Sequence, residues 1–280
     1  MIVKAQLNLI ASIFVLLLLV GCGTSHWSGT WQTEDQLVQP MTKLFLFAGQ
    51  SNMVGGMVGS DLPDEYAMAP SNAVFWSGDS WIGLPDRESD NNRLGPEISF
   101  AHRLAKRFPN DTIAIVKLAV GGMSLDGPFK PGLGELYEQL IATSKRAIES
   151  LRNSNDSYQV AGMIWLQGEA DAMFQSAADA YEINLSELIK LIRTEFDVPT
   201  LPVVVGKLAD ELIESPQWDY KYLKEVQLAQ EKVAGSDANV HLIRTDDIPH
   251  ESDNTHFPPE GYFDLGNRFA EAVITSDTGH

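Results

Sequence analysis

The most informative segment of this chain reads LFLFAGQSNM, residues 44–53. Its apolar half ends at a glycine, a pattern that predicts a buried strand over residues 43–48. The strand is followed by Ser51, whose neighbours Gln50 and Asn52 both carry side-chain amides. In α/β enzymes, a hydroxyl at the carboxyl end of a buried strand is a common position for a nucleophile. An ordinary polar turn would also fit these residues, so the decision rests on the rest of the sequence.

Strand-like and helical patterns alternate along the remainder of the chain. Further strand-like runs occur at 112–118, 160–166, 201–206 and 239–243, with a weaker one at 73–76. Helical patterns lie between them, at 97–108, 134–152, 174–196, 219–234 and 258–274. This alternation is typical of a parallel sheet with helices on both faces, and the unbroken apolar runs 113–116 and 203–205 suit strands that are buried on both faces. We therefore predict a single three-layer α/β/α domain with a mostly parallel central sheet.

The composition restricts the expected partners and cofactors. The chain has 280 residues, of which 44% are hydrophobic, so it can bury a sizeable core. Its formal net charge of -18 argues against duplex nucleic acid as a partner, because phosphate binding needs basic patches. The single cysteine, Cys22, excludes both a disulfide framework and a cysteine zinc site. We expect no metal and no other cofactor.

The N-terminus has the pattern of an export signal. Lys4 supplies a positive charge, residues 7–20 are apolar, and small residues precede Cys22. This apolar run is too short for a comfortable membrane span and fits a secretory signal. Its end, Leu-Val-Gly-Cys, resembles the lipobox of bacterial lipoproteins. The resemblance implies that residues 1–21 are a removed signal peptide and that Cys22 is lipidated; a plain signal peptide or a signal anchor is the alternative.

The predicted anchor sets the expected domain organisation and location. Residues 22–41 are expected to form a tether, and residues 42–276 are expected to form the folded domain. Gly23 follows the cysteine, in place of the aspartate that retains many lipoproteins at the inner membrane. We expect a protein of the bacterial cell envelope that is anchored by lipid in the outer membrane and faces the periplasm or the exterior.

Four of the predicted strands are followed by polar or glycine-rich segments. These segments are 50–52, 119–124, 167–171 and the acidic loop 246–256. The carboxyl ends of parallel strands meet at one edge of a sheet, and ligands bind in the crevice outside them. We therefore expect the four segments to converge on one site.

A serine nucleophile needs a neighbouring base, and histidine is the usual one near neutral pH. Four of the six histidines lie in the tether, at the last residue or within predicted elements, where a catalytic role is not favoured: His26, His280, His102 and His241. His250 and His256 remain, both in the acidic loop. His256 is the stronger candidate, because Asp253 lies three residues earlier and a turn can bring its carboxylate onto the ring. An Asp-x-x-His motif is common in surface loops, so it carries weight only in combination.

The combination resembles a known family. The blocks occur in the order GQSN at 49–52, GGMS at 121–124, WLQGEAD at 165–171 and DNTHF at 253–257, followed by GY at 261–262 and LG at 265–266. This order resembles the sialate O-acetylesterase-like domains, which are grouped with the carbohydrate acetylesterases of family six in the SGNH hydrolase superfamily. The resemblance extends from residue 43 to residue 272. It implies an SGNH-hydrolase-like fold and a serine esterase.

The resemblance also implies roles for individual residues. Ser51 would be the nucleophile, His256 the base and Asp253 the acid that orients the base. Glu169 is the alternative acid; otherwise it would be a supporting group that orients a neighbour of the serine. Gln50, also a supporting residue, could face the substrate.

An oxyanion hole is implied as well. Its donors would be the backbone N–H of Ser51, a glycine N–H after the second strand and the side-chain amide of Gln167. Gly122 is preferred over Gly121 as the glycine donor, because it begins the Gly-x-Ser/Thr block of the family. Met123 departs from the more common threonine, which affects the pocket wall and leaves a backbone donor in place.

Several other residues receive more conservative interpretations. Asn52 is expected to bond only its own turn, and Asp171 is expected to cap the helix that begins near 174. Trp76 and Trp81 suit either a sugar-binding surface or the core. Arg93 could meet a carboxylate or hydroxyl groups of a ligand, although a solvated arginine is the default.

The sequence thus predicts a serine esterase that removes O-acetyl groups from carbohydrate, either sialic acid or an acetylated polysaccharide, by Ser-His-Asp acyl transfer. One alternative is a non-catalytic glycan-binding lipoprotein on the same scaffold, and a second is an SGNH lipase or thioesterase. A third is a metal-dependent hydrolase built on the 246–256 loop. The sequence lacks a Gly-x-Ser-x-Gly elbow, which disfavours the common α/β-hydrolase arrangement.

Overall fold

The computed structural model describes residues 39–86 and 93–277. Within these ranges the strands are β1 (Thr42–Gly49), β2 (Ala73–Trp76), β3 (Trp81–Gly83), β4 (Thr112–Ala119), β5 (Tyr158–Leu166), β6 (Val203–Gly206) and β7 (Val240–Ile243). The helices are α1 (Ser51–Val54), α2 (Glu97–Arg107), α3 (Glu135–Asn153), α4 (Glu169–Ala172), α5 (Gln175–Phe196), α6 (Leu223–Ser236) and α7 (Pro259–Asp277). Three short 3₁₀ turns lie at 59–61, 64–66 and 210–214.

The strands form one sheet in the order β3-β2-β4-β1-β5-β6-β7. Every neighbouring pair is parallel except β2 and β3, which form an antiparallel hairpin at one edge. Gly49 at the end of β1 is paired with Ala119 of β4 on one side and with Leu166 of β5 on the other. The segments that follow these three strands therefore leave the sheet at the same level, which confirms the predicted mostly parallel α/β sheet.

The two faces of the sheet are covered by different helices, which gives the three layers. One buried cluster joins Leu44 and Leu46 of β1 to α3, α5 and α6. The other joins Phe45 and Phe47 to α2 and α7. In the second cluster the ring of Phe47 packs edge-to-face against Phe100, with ring centroids 4.9 Å apart. Because alternate side chains of β1 enter both cores, this strand is a rigid support for the residues that follow it.

Most predicted elements lie within a few residues of the observed ones. The strand predicted at 201–206 begins at Val203, since Pro202 has no N–H and contributes only its carbonyl, which accepts a hydrogen bond from Met163 N at 2.9 Å. The helix predicted at 219–234 begins at Leu223. The weak run at 73–76 is confirmed as β2, whereas the three-residue edge strand β3 was not predicted.

The predicted signal peptide, residues 1–21, and the predicted lipidation site, Cys22, lie outside the described residues, as does most of the predicted tether. The described residues form one compact unit. Met41, at the end of the predicted tether, is already bonded to the sheet, because its carbonyl accepts a hydrogen bond from Thr112 N at 3.0 Å. Within residues 39–86 and 93–277, none of the helices is both long and apolar enough to cross a membrane.

Candidate active site

Ser51 is the first residue of α1, directly after β1 and the single connecting residue Gln50. Gln50 N donates to Leu166 O at 3.1 Å, which fixes the turn against β5. The turn is tight: a β-carbon at position 49 would lie 2.0 Å from the Leu166 carbonyl oxygen, so glycine is required there. The first N–H groups of a helix have no intrahelical acceptor, so the backbone N–H of Ser51 is available beside its hydroxyl.

The other end of α1 is held by a buried lysine. Lys117 of β4 donates from Nζ to Val54 O at 2.9 Å and pairs with Glu97 at 2.8 Å. A cation at the carboxyl end of a helix is favourable, and its pairing with Glu97 compensates for its burial. The short helix is therefore anchored at both ends, which fixes the direction of the Ser51 side chain.

The loop before α7 brings Asp253 and His256 together. The Nδ1 atom of the His256 ring lies 2.6 Å from Asp253 Oδ2, within hydrogen-bond distance. Asp253 Oδ1 accepts hydrogen bonds from the backbone N–H groups of Thr255 and His256, both at 2.9 Å. Asn254, at φ 52, makes the turn that allows this arrangement. The contact predicted for the Asp-x-x-His motif is therefore present.

The electrostatics of Asp253 favour its anionic form. Burial acts to raise the pKa of this carboxyl, but hydrogen bonds from the backbone and ring of His256 and from Thr255 outweigh it and hold the pKa below its ordinary value. An anion at this position keeps the proton of the imidazole on Nδ1. The other ring nitrogen, Nε2, is then free to accept a proton.

Ser51 and His256 line the same pocket, which has a volume of about 280 Å³. The pocket lies at the carboxyl edge of the sheet, where the segments after β1, β4 and β5 meet the loop before α7. Its other lining residues are Gln50, Gly121, Gly122, Ala170, Met173, Trp218, Tyr220 and Thr255. The predicted convergence of these segments is thus observed, with residues about 200 positions apart in the chain facing one cavity.

Trp218 is a pocket residue that the sequence interpretation missed. Its ring meets the His256 ring edge-on, with centroids 5.8 Å apart. The neighbouring Tyr220 is close to Thr255, with the two hydroxyls 3.3 Å apart. The available signal was the aromatic cluster Trp-Asp-Tyr in the connection between β6 and α6, just before α6. These two aromatic residues form one wall of the pocket.

The structure does not place Gln167 where the resemblance implied, and this is a correction. Gln167 is fully buried, and its Nε2 lies 2.5 Å from Asp171 Oδ2, with Gln50 Oε1 and Met123 O both at 3.2 Å. The two hydrogens of this amide are therefore taken by protein acceptors. Gln167 is accordingly not positioned to donate into the pocket.

The side chain of Gln50 is oriented by two hydrogen bonds to its oxygen. Its Oε1 accepts hydrogen bonds from Gln167 Nε2 and from Ala170 N, each at 3.2 Å. With the oxygen held in this way, Gln50 Nε2 has no hydrogen-bond partner among the described residues. Since Gln50 lines the pocket, its amide is a side-chain donor available there.

Glu169, the alternative acid, is bonded elsewhere. It is 1% exposed at the start of α4, and its Oε1 accepts a hydrogen bond from Asn52 Nδ2 at 3.0 Å. The same Nδ2 also donates to Thr255 O at 2.9 Å. Asn52 therefore bonds two distant segments, contrary to the interpretation that it serves only its own turn. The carboxylate on the His256 ring is that of Asp253.

Asp171 likewise has a different role from the expected helix cap. Its Oδ2 accepts from Leu125 N at 2.9 Å and its Oδ1 accepts from Asp126 N at 3.0 Å, in addition to the contact with Gln167. Burial raises the pKa of the Asp171 carboxyl, although these hydrogen bonds oppose the shift. The side chain ties residues 125–126, which follow the glycine-rich segment after β4, to α4, and among the described residues no side chain caps the start of α5.

Both glycines considered for the oxyanion hole line the pocket. A β-carbon at Gly121 would lie 3.6 Å from Ser51 Cβ, so this backbone passes close to the nucleophile candidate. Gly122 has φ 72, a conformation that favours glycine, and a β-carbon there would meet no atom within 4 Å. The assignment of the donor to Gly122 stays a prediction.

The other candidate residues do not belong to the pocket. Trp76 and Trp81 pack edge-to-face on each other, 5.1 Å apart, and contact the core. Arg93 is exposed beside a separate cleft that Lys117 and Glu97 also line. His250 stacks on Phe257 at 4.5 Å.

The carboxylates of the acidic loop point in different directions. Asp247 pairs with Arg268, and Asp246 pairs with Arg244. Asp253 is bonded to His256. Among the described residues, no group of three or more His, Cys, Asp or Glu side chains is arranged to hold a metal ion.

The serine, the histidine and the glycine-rich segments thus meet at one edge of a mostly parallel α/β sheet, which is the arrangement of an α/β hydrolytic enzyme. The sequence profile of the family described as carbohydrate esterase, sialic acid-specific acetylesterase matches residues 41–275. The chain therefore belongs to this family. The predicted resemblance is confirmed.

Similar proteins agree with this assignment. A probable carbohydrate esterase of Arabidopsis thaliana is 28% identical over 276 residues, which cover 91% of this chain and 98% of that protein. Its X-ray structure superposes with a TM-score of 0.69 at 25% identity, over 84% of this chain and 99% of that one.

Two further solved structures share the fold. NanS superposes with a TM-score of 0.68 at 15% identity, over 87% of this chain and 100% of that one. A carbohydrate acetylesterase from Xanthomonas citri superposes with a TM-score of 0.62 at 21% identity, over 85% of this chain and 57% of that one.

Family membership makes the protein a carbohydrate acetylesterase, and therefore a carboxylic ester hydrolase. The predicted enzyme class is confirmed. The alternative of a non-catalytic glycan-binding protein is not favoured.

Proposed function

We propose that this protein removes O-acetyl groups from carbohydrate by acyl transfer, with Ser51 as nucleophile, His256 as base and Asp253 as the orienting acid. The observation that carries the proposal is the shared pocket: the Ser51 side chain and the His256 ring face the same cavity, and the ring is held by Asp253 at 2.6 Å. This is the arrangement of roles in a serine-histidine-acid triad, which is recognised by geometry and not by the order of residues in the chain.

In the first half of the reaction, Ser51 Oγ attacks the carbonyl carbon of the acetyl ester while His256 Nε2 takes the hydroxyl proton. Asp253 stabilises the imidazolium that forms. Negative charge develops on the carbonyl oxygen, and donors aimed at that position stabilise the transition state. The proposed donors are the backbone N–H of Ser51, the backbone N–H of Gly122 and the side-chain amide of Gln50, which replaces Gln167 in this role.

The attack of Ser51 on the ester carbonyl gives a tetrahedral intermediate, which then breaks down. The bond from the carbonyl carbon to the sugar oxygen breaks, and His256 returns its proton to that oxygen, so the free sugar hydroxyl leaves and Ser51 stays acetylated. In the second half, His256 takes a proton from water, and the resulting nucleophile attacks the acetyl-enzyme through the same oxyanion contacts. As the ester bond to Ser51 breaks, His256 returns its proton to Ser51 Oγ, so acetate is released and both the serine hydroxyl and the neutral base are restored.

The proposed substrate is an O-acetylated sugar, either sialic acid or an acetylated polysaccharide. The family description supports the first class, and the pocket supports a sugar more generally. Trp218 and Tyr220 present an aromatic wall beside His256, and aromatic faces pack well against the apolar faces of sugar rings.

The function is tested with Ser51→Ala in the domain that begins after the predicted tether. We expect wild-type protein to hydrolyse p-nitrophenyl acetate and to release acetate from acetylated sialosides or acetylated xylan, and we expect the variant to lose both activities. Retained turnover in the variant would refute the nucleophile assignment. A preference for butyryl or longer esters over acetyl esters would favour the lipase or thioesterase alternative.

The location of the protein is proposed separately. The Leu-Val-Gly-Cys sequence supports lipidation of Cys22, and with it an anchor in the outer membrane of a bacterial cell envelope. We expect expressed full-length protein to incorporate labelled fatty acid and to fractionate with membranes, and we expect Cys22→Ser to lose both properties. Unchanged labelling of Cys22→Ser would contradict the proposal.

A further inference from the structure

Two buried oxygen atoms next to the pocket lack a hydrogen-bond donor. Among the described residues, neither Asn52 Oδ1 nor Glu169 Oε2 has a hydrogen-bond partner, and both atoms are shielded from solvent. The amide nitrogen of Asn52 is already fully used, since it donates to Glu169 Oε1 and to Thr255 O. Unsatisfied buried acceptors are destabilising and call for a donor at the site.

A proton on Glu169 supplies that donor. A protonated carboxyl has one O–H donor and keeps an acceptor, whereas a side-chain amide has both N–H donors and an acceptor. A neutral acid and an amide can therefore exchange two hydrogen bonds, from Asn52 Nδ2 to Glu169 Oε1 and from Glu169 Oε2 to Asn52 Oδ1. We propose that Glu169 is protonated at neutral pH, and that its acid–amide pair with Asn52 positions the loop that carries His256.

The surroundings of Glu169 favour its neutral form. Burial raises the pKa of this carboxyl, although hydrogen bonds from its own backbone N–H and from Asn52 act in the opposite direction. Two nearby titratable groups act on the pKa of Glu169: protonation of His256 would favour the anion, and the negative charge of Asp171 opposes it. The hydroxyls of Tyr181, Tyr220 and Tyr262 also interact with the charge of Glu169, and burial raises the pKa of each of them, so they are neutral donors at neutral pH. A neutral Glu169 leaves Asp253 as the anion that acts on the imidazole.

The pair connects the segments that the reaction needs. Asn52 follows Ser51 in α1, Glu169 begins α4, and the accepting carbonyl of Thr255 directly precedes His256. A shift of the pair therefore moves the base relative to the nucleophile. Asn52 and Glu169 are positioning residues in this account, which rests on the proposed roles of Ser51 and His256.

The first test compares Glu169→Ala with Glu169→Gln. The alanine variant leaves Asn52 without its partner, and a small displacement of a reacting group can cost about 10²-fold in kcat. A glutamine can exchange the same two hydrogen bonds with Asn52. We therefore expect the kcat of Glu169→Gln to be about tenfold or more above that of Glu169→Ala. We also expect the acidic limb of its pH–rate profile to stay where it is in the wild type. If Glu169 were an anion acting on His256, the glutamine variant would be as impaired as the alanine variant, and the acidic limb would move to lower pH. That result would overturn the proposal.

The second test reads the proton directly. The infrared difference spectrum of wild type minus Glu169→Gln at pH 7 is expected to show the carbonyl band of a protonated carboxylic acid. The matched difference for Asp253→Asn is expected to show a carboxylate band in its place, since Asp253 is an anion. A carboxylate signal in the Glu169 difference would contradict the proposal, whether or not the variant is active.

The two tests separate this inference from the proposed function. Ser51→Ala is measured in parallel with the Glu169 variants. Turnover by Ser51→Ala would refute the assignment of Ser51 as the nucleophile. The infrared spectrum would still report whether Glu169 is protonated. If Ser51→Ala is inactive and Glu169→Gln is as impaired as Glu169→Ala, the acid–amide pair is refuted and the proposed nucleophile is not.

Discussion

Replacing Asp253 with asparagine removes one negative charge with little change in shape, and the structure predicts how the new amide must sit. Oδ1 of Asp253 accepts from two backbone N–H groups, those of Thr255 and His256. The amide oxygen of an asparagine has to remain there, because an NH₂ group would face two donors. The NH₂ group is then forced to the position of Oδ2, against Nδ1 of the His256 ring.

An N–H at that position requires Nδ1 to become an acceptor. The ring proton then moves to Nε2, the nitrogen that should receive the proton of Ser51, so the base is held in the wrong tautomer. The same change in the triad of a serine protease lowers kcat by about 10⁴-fold. A loss of this size corresponds to about 5.4 kcal/mol in the activation barrier.

The assay is the steady-state hydrolysis of p-nitrophenyl acetate, with kcat and KM determined separately. We expect Asp253→Asn to lose about 10⁴-fold in kcat, as in the serine protease, with a small change in KM. The matched control is Asp247→Asn, in the same loop, whose exposed pairing with Arg268 lies outside the pocket. The control should keep wild-type kcat. If Asp253→Asn keeps more than about a tenth of the activity, the tautomer argument is wrong.

Three further predictions follow from the site. Gln50→Met removes the proposed side-chain donor and should lower kcat by about 10²–10³-fold. The control is Gln227→Met, which replaces a buried glutamine outside the pocket and should leave kcat unchanged. Equal effects on kcat in the two variants would contradict the role of Gln50. Trp218→Ala should raise KM for an acetylated sugar on the order of tenfold, which corresponds to the loss of one aromatic contact. KM for p-nitrophenyl acetate, which has no sugar ring, should rise less. An equal rise in KM for both substrates would show that Trp218 does not contact the sugar. Glu169 has a raised pKa in the folded protein, so the folded state holds a proton that the unfolded chain releases above a pH of about 4.3. The free energy of unfolding of wild type relative to Glu169→Gln should therefore fall by about 1.4 kcal/mol per pH unit from that pH up to the folded pKa, as measured by urea denaturation. A difference that stays constant with pH above about 4.3 and rises with pH below it would show that the folded-state pKa is lowered and that Glu169 is an anion.

The fold was predictable because its signals are local. The apolar run of β1, the uninterrupted runs in β4 and β6, and the helical patterns between them each depend on residues that are neighbours in the chain. The parallel pairing of most strands then follows from the general preference for parallel strands in such alternating patterns, whereas the order of the strands was not predicted. The hairpin strand β3 escaped prediction because three residues are too few to show a period.

The site was predictable in part. Ser51, Asp253 and His256 were singled out by position after strands and by a spacing of three residues, and the structure brings the serine and the histidine to one pocket. The hydrogen bonds of Gln167 and Gln50 were not predictable, since they depend on which acceptors surround each amide. Those acceptors come from segments 117 residues apart, as with Gln50 and Gln167 themselves.

Asn52 and Trp218 illustrate the same difficulty. Nothing near Asn52 in the chain indicates that it bonds Glu169 and the carbonyl of Thr255, because both partners are distant in sequence. Trp218 enters the pocket through the loop after β6, a segment without a regular pattern. Contacts of this kind are properties of the folded chain.

The central claim is that Ser51 is the nucleophile and that His256 activates it. A fluorophosphonate, which forms a stable bond with an activated serine, tests this directly when the labelled peptide is identified by mass spectrometry. The account predicts one adduct per chain, located on Ser51, formed in step with the loss of esterase activity and much more slowly in His256→Ala. Complete inactivation with the adduct on a different residue, or equally fast labelling of Ser51 in His256→Ala, would contradict it.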